Sequence, residues 1–407
     1  MGRLFTAACA AMLMLVGAGP APSATLPDPN PAMNAPDMTA WRLFLTVNGS
    51  AKTVNSNNAL FETWASDGEL FRPTPVWPTD TTAKVLRPAI LPTMLQQTLR
   101  AHPHGPTVQV VPSLQGVASE ETRRNRPTFD YIVANNLYKV SGLKAAFGKT
   151  ITFPTDSLEV KANWYEVSHI PGYTGDPAKA GLVYHVSRAS DGKLYALVSM
   201  HVISKLVPNW TWATFEHQNN PQRCDILGCH DAFGAMIASV PPNPGGKAGY
   251  GDCVKTPALI TLFKQAKIDP AFANYCLKGS QTDFTDTSGL AIRVGNSITE
   301  QGFVQQASCM TCHGKAAFNA AGQATTGGGF DANGNASIGA LDPNWFWATG
   351  ADAGGNQNPP LSPMFQGQGL LPPPQQWATN VDFVWSIAFC AIDDSTTTPP
   401  PSRCAAK

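Results

Sequence analysis

GLVYHVSRASDGKLYALVSMHVIS, residues 181–204, is the stretch from which the fold of this chain is read. Apolar and polar residues alternate in two runs, GLVYHVSR and KLYALVSMHVIS, joined through Asp191 and Gly192. Alternation with a period of two is a strand signature, and an Asp-Gly pair between two such runs marks a β-hairpin. Successive strand side chains point to opposite faces. One face should therefore carry Leu194, Ala196, Val198, Met200 and Val202, and the other Tyr195, Leu197, Ser199, His201 and Ile203. Both rows hold apolar residues, so both faces are expected to be at least partly covered. Just upstream, LEVKANWYEV from Leu158 alternates in the same way.

Outward from the hairpin the pattern changes. Between residues 39 and 150 the apolar run WRLFLTVN and the helix-like stretches LPTMLQQTLRA and NNLYKVSGLKAAF are separated by proline-rich breaks that fix no topology. On the other side, TPALITLFKQA reads as a short helix among loops. Ser297-Ile-Thr-Glu300 has the form of a capping box, which predicts a helix running toward Ala307. Gly, Asn, Ala and Pro dominate residues 321–360. A last helix is predicted over residues 375–390, where Trp377, Val381, Val384 and Ala388 fall on one face.

A length of 407 residues exceeds what one small core needs, and 35 glycines with 35 prolines imply a loop-rich fold. The 28 basic and 28 acidic residues balance, so there is no basic field for nucleic acid, and that class is excluded. Arg3 followed by LFTAACAAMLMLVGAG and the small residues up to Ala24 reads as a cleaved secretory signal over residues 1–24. This predicts a periplasmic or secreted protein with no integral membrane segment in the mature chain. Residues 25–38, with four prolines, are expected to form an extended arm.

Of the nine cysteines, Cys9 leaves with the signal. Eight then remain, an even number that points first to disulfides in an exported chain. Cys309-Met310-Thr311-Cys312-His313 has another meaning. Two thiols separated by two residues can add to the two vinyl groups of haem, and the adjacent imidazole can reach the iron. With 9 Cys and 8 His in the chain, chance would produce this pattern only about 0.004 times. A redox dithiol would not require the adjacent His, and zinc would call for a second ligand pair that is not evident downstream. One haem c is therefore expected on Cys309 and Cys312, with His313 as an axial ligand.

A second sequence, Cys224-x4-Cys229-His230, has a wider spacing that resembles attachment sites in some multihaem cytochromes. It is read as a local disulfide beside an incidental His. Cys253 with Cys276, and Cys390 with Cys404, would complete three short loops, although sequence alone does not fix connectivity.

Downstream of His313 there is a single methionine, Met364, 51 residues on. The order helix, CxxCH, long loop, Met, closing helix resembles class I cytochromes c over residues 297–392, with matches at Cys309, Cys312, His313 and Met364. That resemblance implies Met364 as the second metal ligand, and an electron-transfer role. The rest of the chain resembles a family of exported bacterial cytochrome c proteins without an assigned reaction. The matching segments are WRLFLTVN at Trp41, FETWAS at Phe61, ALVSMHVISK at Ala196, WTWATFEHQNN at Trp210 and SCMTCH at Ser308.

The expected fold is α+β: a mixed domain with antiparallel β-hairpins over 39–290, a mainly α-helical cytochrome c-like haem domain over 297–392, and a tail over 393–407. The expected function is periplasmic electron transfer with a redox partner protein. The alternative is a peroxidase- or oxygenase-like haem oxidoreductase acting on a small-molecule substrate, with His217, Glu216 and His201 as candidate catalytic residues. Against that alternative, a histidine in a strand more often satisfies a core hydrogen bond. No nucleophile elbow, zinc-protease motif or P-loop is present.

Overall fold

The computed structural model describes residues 31–395 and Cys404, apart from 52–57, 80–82, 89–117, 171, 174–175, 221–222, 225–226, 237–252, 302, 326–337, 342–345 and 349–374. Residues 1–24, expected to be a signal segment, and Met364 lie outside the described residues.

An eight-stranded antiparallel sheet organises the molecule. Its main path runs β1 (Ala65–Ser66), β3 (Ser119–Arg124), β4 (Leu158–Glu166), β6 (Leu194–Ser204), β7 (Thr211–His217) and β8 (Tyr275–Gln281). Off this path, β2 (Arg87–Pro88) pairs with β3, and β5 (Val186–Arg188) pairs with β6. The predicted hairpin is therefore present, turned at Gly192, whose φ of +82° is one that glycine adopts without strain. Its first strand is short, because Pro177–Gly181 forms a helix capped by the Asp176 side chain.

The long strand β6 does not keep one row on one face. Asn163 pairs with Ser199 but Trp164 pairs with Leu197, leaving Val198 as the extra residue of a bulge. One inserted residue reverses the alternation. Met200 and Val202 therefore join Leu197 in one apolar cluster, while Ala196 and Val198 belong to another on the opposite side. The Val198 carbonyl accepts a hydrogen bond from Asn220 Nδ2 at 2.9 Å.

One face of the sheet is covered by the Pro36–Val47 helix, which starts earlier than the Trp41 expected from sequence. It follows a short helix at Pro31–Asn34, so the proline-rich segment is ordered from Pro31 onward. Trp41 and Phe44 pack on Phe215 with ring centroids 5.0 and 4.4 Å apart. The Pro257–Ala266 helix, capped by Thr256, supports the same cluster through Leu259. At the edge of this core His185 bridges two carboxylates, Nε2 to Glu62 at 2.7 Å and Nδ1 to Asp269 at 3.0 Å. Burial alone would lower its pKa, but the two carboxylates outweigh burial and hold it at about 9.

The stretch 297–392 is not a mainly α-helical cytochrome c-like domain. Its described elements are two six-residue helices, Cys309–Gly314 and Trp385–Cys390, a 3₁₀ turn at Val304–Gln306, and short strand pairs. Ser297 starts no α-helix. Asn296 Oδ1 instead accepts the backbone N–H groups of Ile298 and Thr299, and the Glu300 carboxylate folds back onto Asn296 N at 2.6 Å. The predicted last helix is shortened to Trp385–Cys390 because Gln375–Gln376 and Thr379–Asn380 are drawn into strand pairs. Met310, Phe318, Val381 and Ile387 are buried in one cluster with Phe129, Leu143, Trp210 and Trp212. The segment is thus a layer on the second face of the sheet, sharing its core.

Three disulfides are present, Cys224–Cys229, Cys253–Cys276 and Cys390–Cys404. They fit an oxidising compartment outside the cytosol. Among the described residues no helix is long and apolar enough to cross a membrane.

Candidate functional site

The Cys309–Gly314 helix is a single turn and a half, held by its neighbours more than by its own length. Met310 N donates to Gln281 Oε1 at 3.1 Å, and Gln281 Nε2 donates to Ser308 Oγ at 3.1 Å. Thr311 Oγ1 donates to the Gly339 carbonyl at 2.7 Å, and the Gly314 carbonyl accepts from Asn380 Nδ2 at 2.7 Å. A side chain on Gly314 would collide with Leu341, its Cβ lying 2.3 Å from Leu341 Cδ1. Met310, Thr311 and Gly314 are accordingly buried.

Cys309, Cys312 and His313 stand at i, i+3 and i+4, one face of a helix, and this face is half-buried. Neither cysteine is in a disulfide, unlike the other six described. Cys309 Sγ donates to the Val294 carbonyl at 3.4 Å, and the Cys312 carbonyl accepts from Trp385 Nε1 at 3.1 Å. Burial, reinforced by the Glu300 charge, pushes the Cys312 thiol up to about 11 and the Cys309 thiol well above its ordinary value. Both are thus held as thiols rather than thiolates at neutral pH.

His313 Nδ1 donates to the Phe383 carbonyl at 2.8 Å. That bond fixes the neutral tautomer and leaves Nε2, which has no hydrogen-bond partner among the described residues, as the lone-pair nitrogen. Burial lowers the His313 pKa to about 4, which keeps the imidazole neutral. The carbonyl is aimed by two consecutive left-handed residues, Asp382 at φ +50° and Phe383 at φ +72°. Asp382 is itself anchored, Oδ2 accepting from Phe153 N at 2.8 Å and Oδ1 pairing with Lys205 Nζ at 2.6 Å. On the sheet side, the Trp212 ring lies 4.6 Å from the His313 ring.

The three candidate catalytic residues separate. His217 is neutral and structural. Its Nε2 donates to the Val183 carbonyl at 3.1 Å, its Nδ1 accepts from Asn219 N at 3.2 Å, and its ring stacks on Tyr184 at 3.7 Å. Burial lowers its pKa to about 4. Glu216 projects from the other face of β7, where it binds Lys278 Nζ at 3.0 Å, Ser297 N at 2.7 Å and Asn220 Nδ2 at 3.1 Å. It ties the 296–300 turn to the sheet. His201 lies on the same, motif-side face as Glu216, with Nε2 3.3 Å from Glu300 Oε1 and 3.1 Å from Asn296 Nδ2. The charges of Lys161, His201 and Glu300 all act on His313.

At the second Cys-Cys-His sequence, Cys224 and Cys229 form a disulfide, and His230 Nε2 donates to the Leu227 carbonyl at 3.1 Å. Sequence reasoning missed Glu300 and Asn296, whose capping-box pattern disguised a closed turn, and missed the Phe383 carbonyl, because backbone groups leave no mark in a residue string.

Comparison with models of protein families, with curated proteins and with solved structures found no match.

Proposed function

We propose that the chain is an exported c-type haem protein that binds one haem through Cys309 and Cys312, with His313 as axial ligand, and passes electrons to or from a redox partner outside the cytosol. The observation that carries this reading is the half-buried face on which two cysteines outside any disulfide precede a histidine with Nδ1 tied to a carbonyl and Nε2 without a partner among the described residues. The residues fit the group. Each thiol S–H would add across one vinyl C=C, the S–C bond forming and the hydrogen passing to the neighbouring carbon, so no oxidant is needed. Bound haem supplies a one-electron Fe(II)/Fe(III) couple. Phe383 sets the ring orientation of His313, Trp212 packs against that ring, and Gln281 holds the start of the motif helix.

A second reading, a haem oxidoreductase, is favoured by the His201–Glu300 pair on the motif side of the sheet, since hydrogen-bond donors beside the iron decide between carrying electrons and engaging a ligand. Met364, implied by resemblance as the second ligand, is compatible with the carrier reading alone.

The test is the mass and visible spectrum of the denatured, reduced protein after expression with export and haem-attachment machinery. One covalently retained haem per chain is expected, lost in the Cys309→Ala, Cys312→Ala double variant. A folded, exported chain without covalent haem would sink the proposal.

A further inference from the structure

The motif side of the sheet holds a hydrogen-bond donor without a partner among the described residues. His201 lies on β6 opposite Lys161 of β4 and Thr214 of β7. Two residues from Thr214 on the same face is Trp212, whose ring touches His313. From the other direction, the Val294 carbonyl that accepts Cys309 Sγ begins the segment Val294-Gly295-Asn296, and Asn296 reaches His201. Both connections place the imidazole beside the half-buried face of Cys309 and His313.

Its protonation pattern follows from its neighbours. The Asn296 amide cannot be reversed, because its Oδ1 already accepts the N–H groups of Ile298 and Thr299 at 3.0 and 2.5 Å. Its Nδ2 therefore donates, to Thr214 Oγ1 and to His201 Nε2, both at 3.1 Å. A neutral His201 that accepts this bond on Nε2 carries its proton on Nδ1. That Nδ1–H is a donor, it has no partner among the described residues, and the side chain is 8% exposed. Of the neighbouring charges, Lys161 is paired with Glu120 at 3.1 Å, and Glu300, held by Asn296 N, meets His201 at Nε2. A donor with no partner among the described residues, on a side chain so little exposed, is available to a bound ligand.

We propose that His201 Nδ1–H is the hydrogen-bond donor to a small ligand with a terminal acceptor atom, of the cyanide, peroxide or dioxygen class, bound at the iron of the haem assigned above. This rests on the haem reading. It adds to electron transfer, because an iron that takes a ligand still carries one electron. His201 acts here as a positioning residue, with Asn296 and Glu300 setting its orientation.

The experiment is cyanide titration of the ferric holoprotein, followed in the Soret band. Saturable binding is expected in the parent protein, at least tenfold weaker in His201→Leu and substantially restored in His201→Gln, whose amide can donate. The haem content of each variant is measured under denaturing conditions. Covalent haem with no cyanide binding by the parent, or with equal affinity in His201→Leu, overturns this inference and leaves the haem assignment standing. Absence of covalent haem overturns both. Should the variants fail to fold, the parent alone decides: the C–O stretch of the ferrous carbon monoxide complex must shift between H2O and D2O if an exchangeable proton contacts the ligand, and an unchanged band refutes it.

Discussion

The chain contains two Cys-Cys-His sequences, Cys224 to His230 and Cys309 to His313, and folding treats them oppositely. In the first, the cysteines are five apart, oxidised to a disulfide and buried, and the histidine gives its Nε2 proton to Leu227 in its own loop. In the second, a helical turn separates the cysteines, neither is in a disulfide, and the histidine gives its Nδ1 proton to a residue 70 positions away. The first is a closed local structure. The second is finished by the rest of the molecule, which is what a site needs if its geometry is to be set independently of its own short loop.

The largest expected break of this comparison is chemical. Cys312→Ala should abolish two-point haem attachment, while Cys229→Ala should leave haem content unchanged, as read from the mass of the denatured chains. Haem lost from both variants would erase the distinction. Next is Trp212, the sheet residue that packs on His313. Trp212→Ala should cost about 3–5 kcal/mol in denaturant unfolding, the usual loss for a large buried aromatic. A cost below about 1 kcal/mol would mean that the motif helix is not braced by the sheet.

A third prediction concerns the buried His185, far from either motif in sequence. His185 has a folded pKa of about 9, above its unfolded value. Its contribution is fully present below about pH 6.5 and is lost as pH rises through about 9, an effect on the order of 3 kcal/mol. Unfolding free energy should fall across that window, and His185→Gln should flatten the profile. An unchanged slope would assign the dependence elsewhere. The smallest effect is that of the local loop: Cys229→Ala should lower stability by about 2 kcal/mol, the loop-closure value for so short a ring, with no change in the visible spectrum.

Those parts of the structure that depend on local pattern were legible in the sequence. The hairpin at Asp191-Gly192, the strand from Leu158, the Thr256-capped helix and the motif itself follow from periodicity, turn chemistry and spacing. What failed depended on distant partners. A helical reading of 297–307 was reasonable from Ser297 and Glu300, yet Glu216 and Asn296 capture the same polar groups in a turn. The expected helical haem domain dissolved because Met310, Phe318 and Val381 share one core with Phe129, Leu143, Trp210 and Trp212 from much earlier in the chain. Of the candidate site, His201 was one of three candidates read from the sequence, and its selection over His217 came from which face of a strand each occupies.

The bulge at Val198 gives that strand an unusual sensitivity to length. Residues 194–197 and 199–204 are out of phase with one another, and the extra residue is what reconciles them. Were Val198 paired as an ordinary strand residue instead of bulged out, Leu197 and His201 would fall on one face. Either Leu197 would leave the core under the Pro36–Val47 helix, or His201 would rotate away from the motif. The spacing along β6, as much as the identity of any residue on it, therefore encodes which imidazole can take part in the chemistry.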